Sequence, residues 1–378
     1  MKRKYLVSII IFVILIAYLV IPSNNYLLNT IIHLKPNIDD YEIFSNRTIK
    51  TSECQPWNIG KNYNKKHIPE NYQKILSDLK TVAFLVIKDT TIIHESYYQG
   101  YSDSSYSNSF SLAKSIISLL IGCAIDDGFI KNLDEPVSDF IPEYKNNACS
   151  KLTIRHLLTM SSGLNWDESY NNPFSVTTKS YYGNDINSLV YNLKFMEEPG
   201  KQFKYLSGNT QLLAIVLEKA TGEKVSEYAS KKLWIPLGAC SNALWSLDKK
   251  NGEEKAYCCF NTNARDFARI GQLILNKGNW NGKQLLSSKY IDETTSPASW
   301  LIDERGKKHL DYYGYHWWLM TFRGQKVIYA RGILGQYILI LPYKNMVIVR
   351  LGEKRCSLKT DNKPADIYVW LNLAMELI

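Results

Sequence analysis

The sequence contains no Gly-x-Ser-x-Gly elbow and no Cys-x-x-Cys pair. The first absence removes the strand-turn-helix nucleophile of the α/β-hydrolase type. The second removes the commonest spacing of a structural zinc site. Histidine is scarce, and the six present offer no obvious partner for a Ser-His-Asp triad. The seven cysteines are an odd number, so they cannot all pair within one chain. Cys258 and Cys259 are adjacent, and Cys123 falls in an apolar segment as a small core residue. No basic arm or nucleic-acid motif accompanies the net charge of +9, three charges of which belong to Lys2-Arg3-Lys4. The rest is spread out as solubility requires. These absences leave no call for a metal, a cofactor or a nucleic-acid partner.

Long apolar runs are also few, and the longest stands at the N-terminus. Lys2-Arg3-Lys4 precedes an apolar stretch from Tyr5 to Ile21 that stops at Pro22. Its length sits at the lower edge of the roughly 17–25 residues that span a bilayer as a helix. The basic cluster predicts a cytoplasmic N-terminus with the remainder outside. Residues 1–23 are therefore read as a membrane anchor holding an extracytoplasmic protein at the inner membrane. A cleaved signal is the alternative and would give a secreted or periplasmic protein. Val20-Ile21-Pro22-Ser23-Asn24, however, holds no small-x-small cleavage site. With 45% hydrophobic and 21% charged residues, the chain has the composition of a globular protein with a large core.

Residues 24–80 form a polar lead-in rich in Asn, Tyr and Lys, and 81–378 read as one domain. Val82–Lys88 and Thr91–Tyr98 read as a hairpin around Asp89-Thr90. Helices and loops dominate from Ser111 to about Gly278, with Asp127-Gly128 and Thr221-Gly222 as stops. Strand patterns return at 312–320, 326–330, 336–341 and 346–350, and a last helix covers 364–377. Strands at both ends with helices between predict an α+β fold. Its antiparallel sheet comes from both termini, is flanked by helices and carries an inserted, mostly helical region.

Ser-x-x-Lys occurs three times, at Ser77…Lys80, Ser111…Lys114 and Ser246…Lys249. The first lies in a polar run and the third leads into an exposed turn, where an N-cap with a surface lysine suffices. Only Ser111 opens a long apolar helix. Residues at i and i+3 share a helix face, with Cβ atoms roughly 5–6 Å apart. A serine hydroxyl needs a neighbouring base, and a lysine of pKa about 10.4 serves only if burial lowers that value. The apolar run after Lys114 predicts that burial.

Tyr205-Leu206-Ser207 follows the Pro199-Gly200 turn and precedes a helix at 211–220. A tyrosine beside a lysine ammonium can ionise and act as a general base, although most tyrosines serve packing. Ala330-Arg331-Gly332-Ile333-Leu334-Gly335-Gln336 interrupts two strands with paired glycines. Glycine there admits a substrate close to the backbone or marks a bulge.

Ser111-Leu112-Ala113-Lys114, Tyr205-Leu206-Ser207 and Ala330-Arg331-Gly332 together resemble the penicillin-recognising serine hydrolases. The likeness is to the class C β-lactamase type and, through Gly332-x-x-Gly335-Gln336, to its 6-aminohexanoate-dimer hydrolase and esterase branch. Leu133-Asp134-Glu135-Pro136-Val137, the stretch from His156 to Leu164 and that from Glu218 to Gly222 extend the resemblance from about Thr81 to the C-terminus. It implies a β-lactamase/transpeptidase-like fold and an acyl-enzyme on Ser111, with Lys114 and Tyr205 moving the proton. It also implies an oxyanion hole from the Ser111 and Ile333 N–H groups, with Gly332, Arg331 and Ser207 in the substrate site. Ser207 stands where the family has Asn, and Ala330 where it has Lys or His. Neighbours on a strand point to opposite faces, so Arg331 does not simply replace the missing cation.

The function expected is hydrolysis of a small-molecule ester or amide. Acyl transfer to a hydroxyl or amine acceptor is an alternative, with Tyr312–Trp318 and Tyr181-Tyr182-Gly183-Asn184 as an aromatic platform or as ordinary core. A non-catalytic, penicillin-binding-like sensor is the third reading.

Overall fold

The computed structural model describes residues 24–145, 151–361 and 363–378, with residues 4, 5, 7–10, 13, 18, 19 and 21 of the N-terminal run. Much of the expected anchor at 1–23, and Cys149, lie outside the described residues. Among the described residues no helix is long and apolar enough to cross a membrane. The strands of the first half are β1 (Asn46–Ile49), β2 (Asn58–Ile59), β3 (Thr81–Lys88), β4 (Thr91–Tyr97) and β5 (Ser107–Asn108). Those of the second half are β6 (Ala243–Ser246), β7 (Phe260–Thr262), a small hairpin of β8 (Asn279–Trp280) with β9 (Lys283–Gln284), then β10 (Trp318–Phe322), β11 (Gln325–Gly332), β12 (Gln336–Leu341) and β13 (Met346–Gly352).

The main sheet has the order β10-β11-β12-β13-β3-β4-β2. Its N-terminal hairpin joins the C-terminal meander through the antiparallel pair β13–β3, with Ile348 opposite Val86. The fold is thus α+β of the β-lactamase/transpeptidase type, with the sheet assembled from both ends of the chain.

Alternation along β3 divides the core. Leu85 and Ile87 turn to the large cluster that includes Phe267 and Ile270 of the Ala264–Leu275 helix. Phe84 and Val86 turn to the opposite cluster, with Leu76 of the Glu70–Asp78 helix and Trp370 of the Asp366–Leu377 helix. Period-two patterning with apolar residues on both faces is what a sheet covered on both sides requires.

Two expectations need correction. Residues 312–317 are not strand, because His316 takes a left-handed φ of 61° and the strand starts at Trp318. The central region also contains a second sheet, β1-β6-β7-β5, whose strands of two to four residues are too short for a periodic signal. The polar lead-in contributes β1 to that sheet and β2, parallel to β4, to the main one.

Cys54 in the lead-in is bonded to Cys240, and Cys258 to Cys259; Cys123 and Cys356 are free. The first bridge closes a loop with a sequence separation of 186. Crosslinks of that reach act chiefly by restricting the unfolded chain. Replacing Cys54 and Cys240 together by serine should destabilise the protein by about 2–4 kcal/mol. The midpoint of chemical denaturation, compared with that of the parent, measures it.

Candidate active site

Ser111 is the middle residue of a 3-10 turn, Phe110–Leu112, that runs directly into the Ala113–Asp126 helix. Asn108 Oδ1 accepts from the Phe110 N–H at 2.9 Å. The Ser109 N–H donates to Phe260 O at 2.8 Å, and its hydroxyl accepts from the Phe260 N–H at 3.2 Å. These bonds hold Phe110 at a φ of 45°, a left-handed conformation that costs a non-glycine residue about 1–3 kcal/mol. The strained residue delivers Ser111, half-buried, to the start of a helix that is otherwise interior.

Lys114 is 1% exposed. Its Nζ donates to Ser111 Oγ at 3.1 Å and to Tyr257 O at 2.8 Å. The rings of Tyr205 and Tyr257 lie 5.2 and 5.4 Å from it, measured to their centroids. Both hydrogen-bond partners are neutral. Burial lowers the lysine pKa to about 8, against a smaller upward pull from the Glu168 carboxylate. A neutral amine, able to take the Ser111 proton, is therefore populated near physiological pH.

Tyr205 lies just before the Ser207–Thr221 helix, its hydroxyl near enough to Ser111 for the serine to pull its pKa down. Burial first, and then Glu168, push its phenol upward, against Ser111 and the guanidinium groups of Arg331 and Arg355. Lys114 lies over the ring, so its charge faces the π system. The phenol is thus a proton donor in the resting protein, in place of the phenolate that the pairing with Lys114 suggested.

Ser207 is buried and both of its polar groups are committed. Its N–H donates to Glu168 Oε2 at 2.7 Å and its hydroxyl to Glu168 Oε1 at 2.6 Å. Tyr170 donates to the same carboxylate at 2.5 Å. Where the family has an amide, this chain therefore has a serine holding a carboxylate. Sequence reasoning missed Glu168 because its loop carries no spacing motif. It also missed Tyr257, whose relevant group is a backbone carbonyl.

Gly332 ends β11 against the segment before the nucleophile. A Cβ there would lie 2.2 Å from Ser109 O, so only glycine permits the approach. Ile333 follows directly, at the end of the strand that packs against the Ser111 turn. Arg331 lays its guanidinium on the Trp318 indole, 3.7 Å from the ring centroid, and Trp318 in turn lies 5.5 Å from Tyr205. Ala330 is fully buried and supplies no charge. His316 is buried as well, its pKa pushed down to about 3 by burial and by Lys114. It is a neutral packing group, paired with Thr210 Oγ1 at 3.0 Å.

Among the described residues one carboxylate group, Glu218, Glu253 and Glu254, could hold a metal ion. Lys224 bridges Glu218 and Glu253, and Arg47 pairs with Glu254.

Comparisons with known proteins agree with this fold. The beta-lactamase family model matches residues 71–365. The 6-aminohexanoate-dimer hydrolase of Paenarthrobacter ureafaciens is 26% identical over 300 residues, 76% of each chain. A Bacillus anthracis structure assigned as a 6-aminohexanoate-dimer hydrolase superposes with a TM-score of 0.72 at 23% identity, covering 90% of this chain and 92% of that one. A family VIII carboxylesterase superposes with a TM-score of 0.64 at 15% identity, covering 86% of this chain and all of the other.

If neutral Lys114 is the base, kcat/KM should be low in acid and rise with pH through about 8. Glu168 raises the lysine pKa, so Glu168→Gln should move this limb to lower pH. Rate profiles of the two proteins on one ester test both statements.

Proposed function

The chain belongs to the beta-lactamase family, and from that premise we propose that it is a serine hydrolase forming an acyl-enzyme on Ser111. Its substrates are small-molecule esters or amides. The observation that carries this reading is the buried Lys114 amine, 3.1 Å from Ser111 Oγ, with a pKa near 8. Lys114 takes the Ser111 proton as Oγ attacks the carbonyl carbon. The oxyanion forms against the N–H groups of Ser111 and Ile333. When the tetrahedral species collapses, the Tyr205 O–H protonates the leaving oxygen or nitrogen and is recharged from Lys114. Water then enters by the reverse sequence and releases the acid.

An amide-hydrolysing relative and an esterase among the structural neighbours support the scope of bond cleaved. With Ala330 in place of a cation, and Arg331 against Trp318, recognition of a β-lactam carboxylate is not part of the proposal.

Water is preferred to an organic acceptor because most of the aromatic platform is core. Tyr181, Tyr182, Tyr313, Tyr315 and Trp317 are all buried. Tyr181 donates to Asp40, and only Tyr312 and Trp318 remain half-exposed. A binder that is never acylated would have no use for a desolvated lysine bonded to a serine hydroxyl, and a sensor acylated once would not turn substrate over repeatedly.

A fluorophosphonate probe should label the parent protein and not Ser111→Ala, and p-nitrophenyl acetate should turn over many times per molecule. Tyr205→Phe should lower kcat by about 10²–10⁴-fold with little change in KM, the range expected for a positioned proton-transfer group. Labelling that survives in Ser111→Ala, or parent-like kcat in Tyr205→Phe on both an ester and an amide, would overturn the assignment of that residue.

A further inference from the structure

The turn that carries Ile333 has an unusual backbone and an unusual anchor. Between β11 and β12 the chain makes a tight turn over Ile333–Gly335, with Leu334 at a φ of 62° and Gly335 at 92°. Such a path leaves its carbonyls without ladder partners, and buried carbonyls require donors. Two buried side chains supply them. Gln336 Nε2 donates to Ile333 O at 3.2 Å and to Gly352 O at 2.7 Å. Arg350, from the middle of β13 and wholly buried, supplies the rest.

All five N–H groups of that guanidinium are used. Nη1 donates to Leu334 O at 3.0 Å and Gly335 O at 2.8 Å. On its other side Nη2 donates to Leu79 O at 2.6 Å and Thr81 Oγ1 at 2.9 Å, and Nε to Thr81 Oγ1 at 3.2 Å. Three successive carbonyls of the turn are therefore held from behind, and the far end of the clamp is the edge of β3. Room for it is specific: a Cβ at Gly335 would lie 2.3 Å from Nη1, and one at Gly352 would lie 2.4 Å from Nη2.

The hydrogen bonds of this guanidinium go only to carbonyls and a hydroxyl, with the Trp370 ring centroid 5.2 Å away. Burial disfavours its charge more than Asp366 favours it. A buried charge without a contacting carboxylate keeps much of its desolvation penalty, so that apolar side chains of similar volume often serve stability better. Its five donors instead match a backbone that no ladder satisfies.

We propose that Arg350 is a positioning residue for acyl transfer, holding the Ile333–Gly335 turn so that the Ile333 N–H points at the oxyanion formed on Ser111. This rests on the reading of Ser111 as nucleophile and of Ile333 as oxyanion donor. Arg350 touches no substrate; it acts through the turn. An oxyanion donor helps only if it is already in place when charge develops, and the guanidinium removes the freedom of the peptide planes that follow Ile333.

The test compares p-nitrophenyl acetate with its thionoester analogue, whose sulfur is a poor hydrogen-bond acceptor and gains little from an oxyanion hole. It uses the full chain, with Arg350→Lys and Thr81→Val. Arg350→Lys keeps the charge but cannot bridge both sides. Its kcat on the oxoester should fall by about 10²-fold with KM nearly constant, the scale of one lost oxyanion donor. The oxo-to-thiono ratio of kcat/KM should fall as well, because the thionoester had less to lose. Thr81→Val removes two of the clamp's three rear hydrogen bonds, leaving the one to Leu79 O, without touching the turn, and should move both quantities in the same direction by a smaller factor. Thr81→Val alone decides if Arg350→Lys does not fold. Unchanged oxoester kcat in a folded variant overturns the proposal, and so does an equal loss on both substrates, which marks a purely structural role. Failure of the underlying reading is distinct: it appears as oxoester turnover that persists in Ser111→Ala, whatever Arg350 does.

Discussion

Everything at this site depends on keeping water away from one amine. Lys114 sits in a helix whose first twelve residues are all buried, and only a serine hydroxyl and a peptide carbonyl contact it as hydrogen-bond partners. Lowering its pKa from 10.5 to about 8 corresponds to roughly 3 kcal/mol of preference for the neutral form relative to an exposed lysine. A carboxylate in direct contact would cancel that preference and leave a structural ion pair. Glu168 is instead tied to Ser207 and Tyr170, and its effect on the lysine is secondary to burial.

The same device recurs elsewhere in the molecule. Lys255 is fully buried, donates to Tyr181 O, and has a pKa lowered to about 7 by burial. Arg350 is fully buried, donates to three carbonyls and a hydroxyl, and is lowered to about 10. Arg269 combines both arrangements, pairing with Asp266 at 2.8 Å while donating to Leu237 O and Gln55 O. Cations held by carbonyls fix backbone, because a carbonyl cannot move without leaving a buried donor empty. Lys114 fixes the segment before Cys258, Lys255 fixes the Tyr181 segment, and Arg350 fixes the turn after Gly332.

These fixed segments come from distant parts of the chain. The Ser111 turn is bonded to Phe260, Lys114 to Tyr257, and Gly332 closes on Ser109. The second sheet and the main sheet thus meet around one serine. The Cys258–Cys259 bond follows directly on the carbonyl that receives Lys114. The site is accordingly a junction between the two sheets, and its geometry is only as firm as the hydrogen bonds that cross it.

The Ser111–Lys114 pair, the hairpin at 82–98 and the helix ending at Gly222 were legible in the sequence, since each depends on near neighbours and on periodic burial. So was the order of the three motifs from which the family resemblance came. The strand expected at 312–317 failed because the aromatic residues there fill the core around a left-handed turn at His316. The short strands of the second sheet gave no period to read. What the tertiary structure alone decided is which groups meet: Glu168 with Ser207, Tyr257 O with Lys114, and Arg350 with the turn after Ile333. A carbonyl has no identity in a sequence, and the protonation of Tyr205 and Lys114 follows from solvent exclusion by segments far along the chain. Local order in the sequence therefore set the nucleophile and its lysine. Long-range packing set their charges and the direction of the backbone groups facing them.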